Sequence, residues 1–364
     1  MYGTVVGGPV DEIDTPALLI DLNRLDRNID RMNADLRAAG VAWRPHCKGH
    51  KSPAIAHKEL AAGAIGVTCA KLGEAEVMAA AGIRDILVAN QVVGPIKARR
   101  LAALRGQADV IVAVDSIENA RELDAAARAT GTRLRVIVEV NVGMHRAGVE
   151  PGAPTIAFSQ EVAAMEGIRF AGLMGYEGHA MGQADPAQRQ AEIERSVRML
   201  VETADACRAA GLPVEIVSAS GTGTYQTSTG IEGITEVQAG GGIFGDAFYR
   251  SLDVPVEPAL SILVGVTSRP APNRIIIDAG CKTLDASVIP PTVRDLAGVV
   301  SIRFSAEHGN IALDHDACCP HVGDRLLLDV GYHDGVVHLH DCFYGIRNGL
   351  VETVWPIAAR GRLQ

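Results

Sequence analysis

Val110-Ile111-Val112-Ala113-Val114, the helical pattern Ile117 to Thr130, and Leu134-Arg135-Val136-Ile137-Val138-Glu139-Val140 follow in close succession. The outer runs are apolar at nearly every position, so both faces of each strand must be covered. The stretch between them is long and amphipathic enough to cross back over a sheet. That is the pattern of a parallel strand–helix–strand unit. Outward from it the alternation repeats, with strand-length runs at Val41–Pro45, Ile65–Cys69, Ile86–Ala89, Phe170–Tyr176, Val214–Ser218 and Thr235–Ala239. Helical patterns at Pro53–Ala62, Gly73–Ala81, Pro95–Leu104 and Pro186–Ala210 separate them. Eight such units predict an α/β fold built on a closed (β/α)8 barrel.

The barrel is expected over residues 22–250, opening with a helix whose Leu22, Leu25, Ile29, Met32 and Leu36 follow Asp21 as cap and stop at Gly40. From about Ser251 the period changes. Ser261–Val266, Arg274–Ile277, Gly298–Phe304, Asp324–Val330, Gly335–Leu339 and Leu350–Trp355 are strand-length and separated by turn residues. Residues 251–364 are therefore expected to form a C-terminal all-β domain, joined by a strand from residues 1–21 at Ala17–Asp21.

Composition narrows the function. The 364 residues are 48% hydrophobic and 21% charged, the balance of a globular chain. A formal charge of −9, with only 2 Trp, 6 Tyr and 6 Phe, disfavours nucleic acid and anionic membranes and favours a small-molecule partner. No apolar run is long enough for a membrane span, and Asp11, Glu12 and Asp14 stand where a secretory signal would be basic. The seven cysteines (47, 69, 207, 281, 318, 319, 342) are an odd and scattered set, read as reduced thiols. A cytoplasmic protein is expected.

In a (β/α)8 barrel, chemistry sits at the C-terminal strand ends. The first strand ends in Arg44-Pro45-His46-Cys47-Lys48-Gly49-His50-Lys51. A desolvated lysine among cations loses its proton more easily, and a neutral amine forms a Schiff base. Lys48 fits, although a solvated basic loop would read the same. The seventh strand ends in Ser220-Gly221-Thr222-Gly223-Thr224 and the eighth in Gln238-Ala239-Gly240-Gly241-Gly242. Such backbones approach an anion without Cβ obstruction, though glycine-rich turns alone are weak signals. A lysine opposite a phosphate cup is what pyridoxal 5′-phosphate requires.

These segments, with Thr15 to Leu22, Glu139 to Gly148, Asp278-Ala279-Gly280, Glu307-His308-Gly309 and Val354 to Gly361, resemble the D-threonine aldolase and D-serine dehydratase family of alanine-racemase-like pyridoxal-phosphate enzymes. The resemblance covers the whole chain in order. It implies a barrel plus β-domain, paired as a homodimer. It also implies that Lys48 carries the cofactor, Arg146 lies near its phenolic oxygen and Tyr176 touches it. Ser220, Gly221, Thr222, Gly223, Thr224, Gly240 and Gly241 would hold its phosphate, and Gln238 would be a polar neighbour.

The departures concern an ion and a base. Metal-dependent members carry a His-x-Cys or His-x-Asp pair, which here falls on Tyr332 and Asp334. Neighbours on a strand point to opposite faces, so His333 and Asp334 are not expected to share an ion. Asp334 remains as the ligand candidate for Mn2+, Mg2+ or Zn2+, with His333, His338 or His340 as shifted partners. His315-Asp316-Ala317-Cys318-Cys319-Pro320-His321 is a second ligand-rich stretch, read more readily as a polar loop. His179 and His50 are the candidate bases. The expected function is a lyase cleaving β-hydroxy D-amino acids to glycine and an aldehyde or keto acid. Dehydration, racemisation and non-catalytic cofactor carriage are the alternatives.

Overall fold

A computed structural model describes residues 5–314 and 320–364. The chain divides into two compact units, residues up to 30 with 241–360, and residues 31–240 with 361–364. The divisions fall at 30/31 and 240/241 rather than at the expected 21/22 and 250/251. Helix α1 (Leu22–Ala38) contributes its first half to the β-rich unit, and so does the irregular stretch after Gly240. No helix among the described residues is long and apolar enough to cross a membrane.

The barrel unit contains β2 (Ala42–Trp43), β3 (Val67–Cys69), β4 (Asp85–Gln91), β5 (Asp109–Val114), β6 (Leu134–Glu139), β7 (Ile168–Met174), β8 (Ile216–Ala219) and β9 (Glu236–Val237). Every neighbouring pair is parallel, in the order β2-β9-β8-β7-β6-β5-β4-β3. The ring closes where His46, beyond β2, bridges Thr68 of β3 in parallel. Cys47 N–H donates to Thr68 O and Thr68 N–H to Pro45 O, both at 2.8 Å. One buried cluster draws Leu87, Ile111, Ala113, Ile137, Ala171, Met174 and Ile216 from five consecutive strands, the layered filling such a barrel requires.

Helices α2 (Pro53–Ala62), α3 (Leu72–Ala80), α4 (Pro95–Leu104), α5 (Ile117–Ala129), α6 (Ala153–Ala163), α7 (Pro186–Ala209) and the single turn α8 (Tyr225–Ser228) alternate with the strands. Four of them, α2, α4, α6 and α7, carry proline in the first turn, where its missing N–H costs nothing. Asp185 caps α7 by accepting from the amides of Ala187 and Gln188.

In the β-rich unit, β1 (Ala17–Asp21) lies between β10 (Leu260–Ala271), antiparallel, and β16 (Cys342–Arg347), parallel. The sheet runs β13 (Val299–Phe304), β14 (Gly309–Leu313), β11 (Arg274–Ile277), β10, β1, β16, β17 (Leu350–Pro356). Two further strands, β12 (Thr292–Val293) and β15 (Arg325–Asp329), attach through β10. Thr15 Oγ1 donates to Asp278 Oδ2 at 2.6 Å, so two of the family-like motif positions tie this sheet together. The short helix α9 (Ala247–Ser251) also belongs here.

The expected strand Gly335–Leu339 is absent. The segment forms two 3-10 turns, His333–Gly335 and Val337–Leu339. Its flanking glycines lie too close to neighbours for an ordinary strand residue: a Cβ on Gly331 would stand 2.0 Å from Ile289 O, and one on Gly335 2.4 Å from Asp285 Oδ2.

Candidate active site

Beyond β2 the chain turns sharply. Lys51 N–H donates to Cys47 O at 2.8 Å, and Lys51 itself takes a left-handed φ of 51°. His145 (φ 52°) after β6 and Ser220 (φ 69°) after β8 do the same. Three non-glycine residues are thus held in a costly conformation at strand ends on the barrel's C-terminal side, where strain of this kind gathers at functional sites.

Lys48 is half-buried on the first turn, its amide donating to His46 Nδ1 at 3.3 Å. Arg44 and Lys51, the permanent cations beside it, each face carboxylates. Arg44, almost fully enclosed, bonds both carboxylate oxygens of Glu236 at 3.1 Å and Asp85 Oδ1 at 2.7 Å. Lys51 pairs with the buried Glu74, which also accepts from the amides of Ala70 and Lys71. Lys51 is therefore committed to structure. His50, the other candidate base, has a fully enclosed ring, with Nδ1 accepting from Ser52 N–H at 3.0 Å and Nε2 3.4 Å from the equally buried Glu59.

Tyr176, just past β7, brings three of the expected residues together. A Cβ on Gly178 would lie 2.3 Å from Tyr176 Cε1, and one on Gly221 3.0 Å from Tyr176 Cε2, so the ring needs both glycines bare. The Arg146 guanidinium stands 5.6 Å from the centre of the same ring and 3.7 Å from Glu139 Oε1. Gln91 Nε2 holds Glu139 at 2.6 Å, and burial raises that carboxyl's pKa. The eighth strand end meets the lysine strand: a Cβ on Gly240 would fall 2.3 Å from His46 O. Gln238 Nε2 donates to Ser218 Oγ at 2.9 Å.

The Ser220–Thr224 turn is braced from within. Thr224 Oγ1 accepts from Gly221 N–H at 3.1 Å and donates to Glu177 Oε1 at 2.5 Å, so its hydroxyl is already engaged. Thr224 and Tyr225 amides both donate to Gly221 O, and the Gly223 amide is not among the bonds that close the turn. Ser220 Oγ is buried without a hydrogen-bond partner. Bare glycines, an orphaned buried hydroxyl and an adjacent Tyr–Arg pair are groups that fit a phosphorylated aromatic aldehyde. Glu177, for which the sequence alone suggests no role, is the buried brace of this turn.

His179 sits on the 3-10 turn Gly178–Gly182, and Glu192 on α7 approaches its Nε2 at 2.6 Å. Arg195 first, then His179, hold the Glu192 carboxyl down to about 2. His179 Nδ1 is enclosed with no hydrogen-bond partner. This carboxylate was not legible, lying 13 residues on.

The remaining candidates belong to the other unit. Gly241 leaves room for the aromatic rings around it, since a Cβ there would lie 2.5 Å from His333 Cε1 and 2.7 Å from Tyr249 Cε2. Tyr332 OH donates to Asp334 Oδ2 at 2.9 Å. The strand argument against His333 fails, because the 3-10 turn carries His333 Nε2 to 3.4 Å from Asp334 Oδ1. Asp246 Oδ2 receives both His333 N–H (3.0 Å) and Nδ1 (2.6 Å). His338 and His340 bond the backbone carbonyls of Asp334 and Thr283. Among the described residues no three His, Cys, Asp or Glu are arranged to hold a metal. His333 Nε2 and Asp334 Oδ1 make one nitrogen and one oxygen donor, short of the four ligands of a closed zinc site. His315, Asp316, Cys318 and Cys319 lie outside the described residues, and His321 is an exposed ring 3.6 Å from Asp324.

Residues 20–247 match the alanine racemase N-terminal domain, and residues 259–346 a serine dehydratase domain. The chain is 36% identical to the D-threonine aldolase of Arthrobacter sp., covering 98% of this chain and 95% of that one. It is 37% identical to the 3-hydroxy-D-aspartate aldolase of Paracoccus denitrificans (strain Pd 1222), over 96% and 93%. The crystal structure of D-threonine aldolase from Filomicrobium marinum superposes with a TM-score of 0.96 at 38% identity, covering 99% of this chain and 98% of that one.

Proposed function

The chain belongs to the alanine racemase N-terminal domain family, and we propose that it is a pyridoxal-phosphate-dependent lyase that splits β-hydroxy D-amino acids into glycine and an aldehyde. The observation that supports this most is the convergence of Arg146, Tyr176 and Gly221 at the barrel's strand ends, in a chain similar over its full length to aldolases. Bound there, pyridoxal 5′-phosphate would supply an aldehyde for amines and a ring that accepts the electron pair of a bond broken at Cα.

The residues divide the work. Lys48 would offer the amine that anchors the cofactor, Tyr176 and Arg146 would lie against it, and the Ser220–Thr224 turn would hold its phosphate. His179 takes the β-hydroxyl proton. With the ionised Glu192 keeping a proton on Nε2, the basic nitrogen is Nδ1, and the turn Gly178–Gly182 must yield for a hydroxyl to reach it. Loss of that proton turns the C–OH into a carbonyl as the Cα–Cβ bond breaks, and a proton returned to Cα completes glycine. His333 Nε2 and Asp334 Oδ1 would hold a divalent ion, whose Lewis acidity acidifies bound hydroxyls.

The test is product analysis with D-threonine, D-serine and D-3-hydroxyaspartate, combined with borohydride reduction and peptide mapping. Glycine with an aldehyde, and the adduct on Lys48, are expected. Ammonia with a 2-keto acid would make the protein a dehydratase, the L-isomer a racemase, and an adduct without turnover a carrier.

A further inference from the structure

We infer that Glu177 makes the Ser220–Thr224 turn a proton-linked anion site, a phosphate dianion on the turn favouring the neutral form of its carboxyl. The inference deepens the reading above and rests on it, since the anion concerned is the cofactor's phosphate. Glu177 is 1% exposed, and among the described residues it has no ion-pair partner. The groups turned toward it are hydroxyls. Thr224 Oγ1 donates at 2.5 Å and Ser228 Oγ at 3.3 Å, one from the turn and one from α8. Ser220 Oγ, from the end of β8, is buried beside them and has no hydrogen-bond partner.

The titratable neighbours on the packed elements are engaged elsewhere or uncharged. Tyr176 precedes Glu177 and lies under Arg146, and His179 follows and pairs with Glu192. Tyr225 on α8 donates its phenol to Asp35 at 3.0 Å, and burial keeps that phenol neutral. Among the described residues no cation pairs with Glu177. Burial raises its pKa, and the hydrogen bonds from Thr224 and Ser228 only partly oppose this.

The same Thr224 oxygen that donates to Glu177 accepts from Gly221 N–H, so the carboxyl anchors the turn through one side chain. An ionised Glu177, buried behind the turn it anchors, would repel a dianion bound on that turn. Anion binding must then raise the Glu177 pKa further. Below the pKa of the anion-free protein the carboxyl is neutral in both states and affinity is unaffected. Above it, binding requires proton uptake, and affinity falls with rising pH until the bound-state pKa is passed.

Protein freed of cofactor would be titrated with inorganic phosphate, pyridoxal 5′-phosphate and unphosphorylated pyridoxal across pH, as wild type, Glu177→Gln and Glu177→Ala. Glu177→Gln keeps an acceptor for Thr224 without the titration. Its advantage over wild type for the two phosphorylated probes is expected to vanish at the acid end of the pH range and to grow toward the alkaline end, by about tenfold for each unit that anion binding adds to the Glu177 pKa. Pyridoxal should show no such difference. Glu177→Ala, which drops the anchor, should bind phosphate more weakly at every pH. Parallel pH profiles for wild type and Glu177→Gln, or an unchanged Glu177→Ala, would overturn the inference alone. Failure of wild type to bind either phosphorylated probe at any pH would instead overturn the phosphate site itself.

Discussion

His179 on the barrel and His333 in the β-rich unit each face a carboxylate oxygen at 2.6 Å, Glu192 and Asp246 respectively. The side chains of the first pair are 24% and 22% exposed, and Arg195 shares the carboxylate. Those of the second are 2% and 0% exposed. The bonded nitrogen differs as well. Glu192 takes Nε2 of His179 and leaves Nδ1 as its basic atom, whereas Asp246 takes Nδ1 of His333 and turns Nε2 toward Asp334. A carboxylate on one ring nitrogen thus decides which atom of the imidazole works, and burial decides whether the pair is adjustable. The half-buried pair suits the proton transfer proposed for it; the enclosed pair suits a fixed ligand.

The largest effect is expected at the adjustable pair. His179→Ala should lower turnover of the productive D-substrate by roughly 10²–10⁴, the range for a lost general base, with the melting temperature little changed. Steady-state rates and calorimetry on one preparation test this. Turnover within a factor of a few of wild type would move the base elsewhere and leave the His179–Glu192 pair a surface contact.

A smaller effect is expected at the fixed pair. Asp246→Asn keeps the shape but weakens the hold on His333 Nδ1, and should cost about 10–100-fold in Mn2+ affinity, as outer-shell changes do. Titration of Mn2+ followed by magnetic resonance measures it. Equal affinity in the variant, or no Mn2+ binding by the wild type, would mean that His333 is oriented for packing against Phe244 and Tyr249 rather than for an ion.

The two regions also differ in how far the residues alone disclose them. The barrel strands were readable because Val110–Val114 and their counterparts are apolar on both faces, a pattern few other structures tolerate. Lys48 was readable as a strand-end amine. Its surroundings were not, since Glu74 and Glu236, which neutralise Lys51 and Arg44, come from elements 23 and 192 residues away. Near His333 the apolar Val336, Val337 and Leu339 imitate strand alternation, yet the chain forms 3-10 turns there, with Gly331 and Gly335 packed tightly on Ile289 and Asp285. Asp246 was invisible for the same reason as Glu74: partners across 87 residues leave no local pattern.

The smallest effect should separate the pairs by pH and salt. Glu192 is held down to about 2, chiefly by Arg195, so its contribution to stability is present in full above the ordinary carboxylate pKa and is lost as pH falls through about 2. Because the pair is solvated, that contribution is at most about 0.2–1 kcal/mol. Wild type should therefore exceed Glu192→Gln in urea stability by this amount near pH ~6, and the gap should close toward pH ~2. Added salt at about 0.5 M should shrink the gap near pH ~6, since screening acts on exposed charges. His333 and Asp246 are shielded from that screening, so the difference between wild type and Asp246→Asn should hardly respond to salt. A Glu192 gap that survives high salt would show that Arg195 and His179 enclose the carboxylate as firmly as the β-rich unit encloses Asp246, and the distinction between an adjustable and a fixed pair would fall.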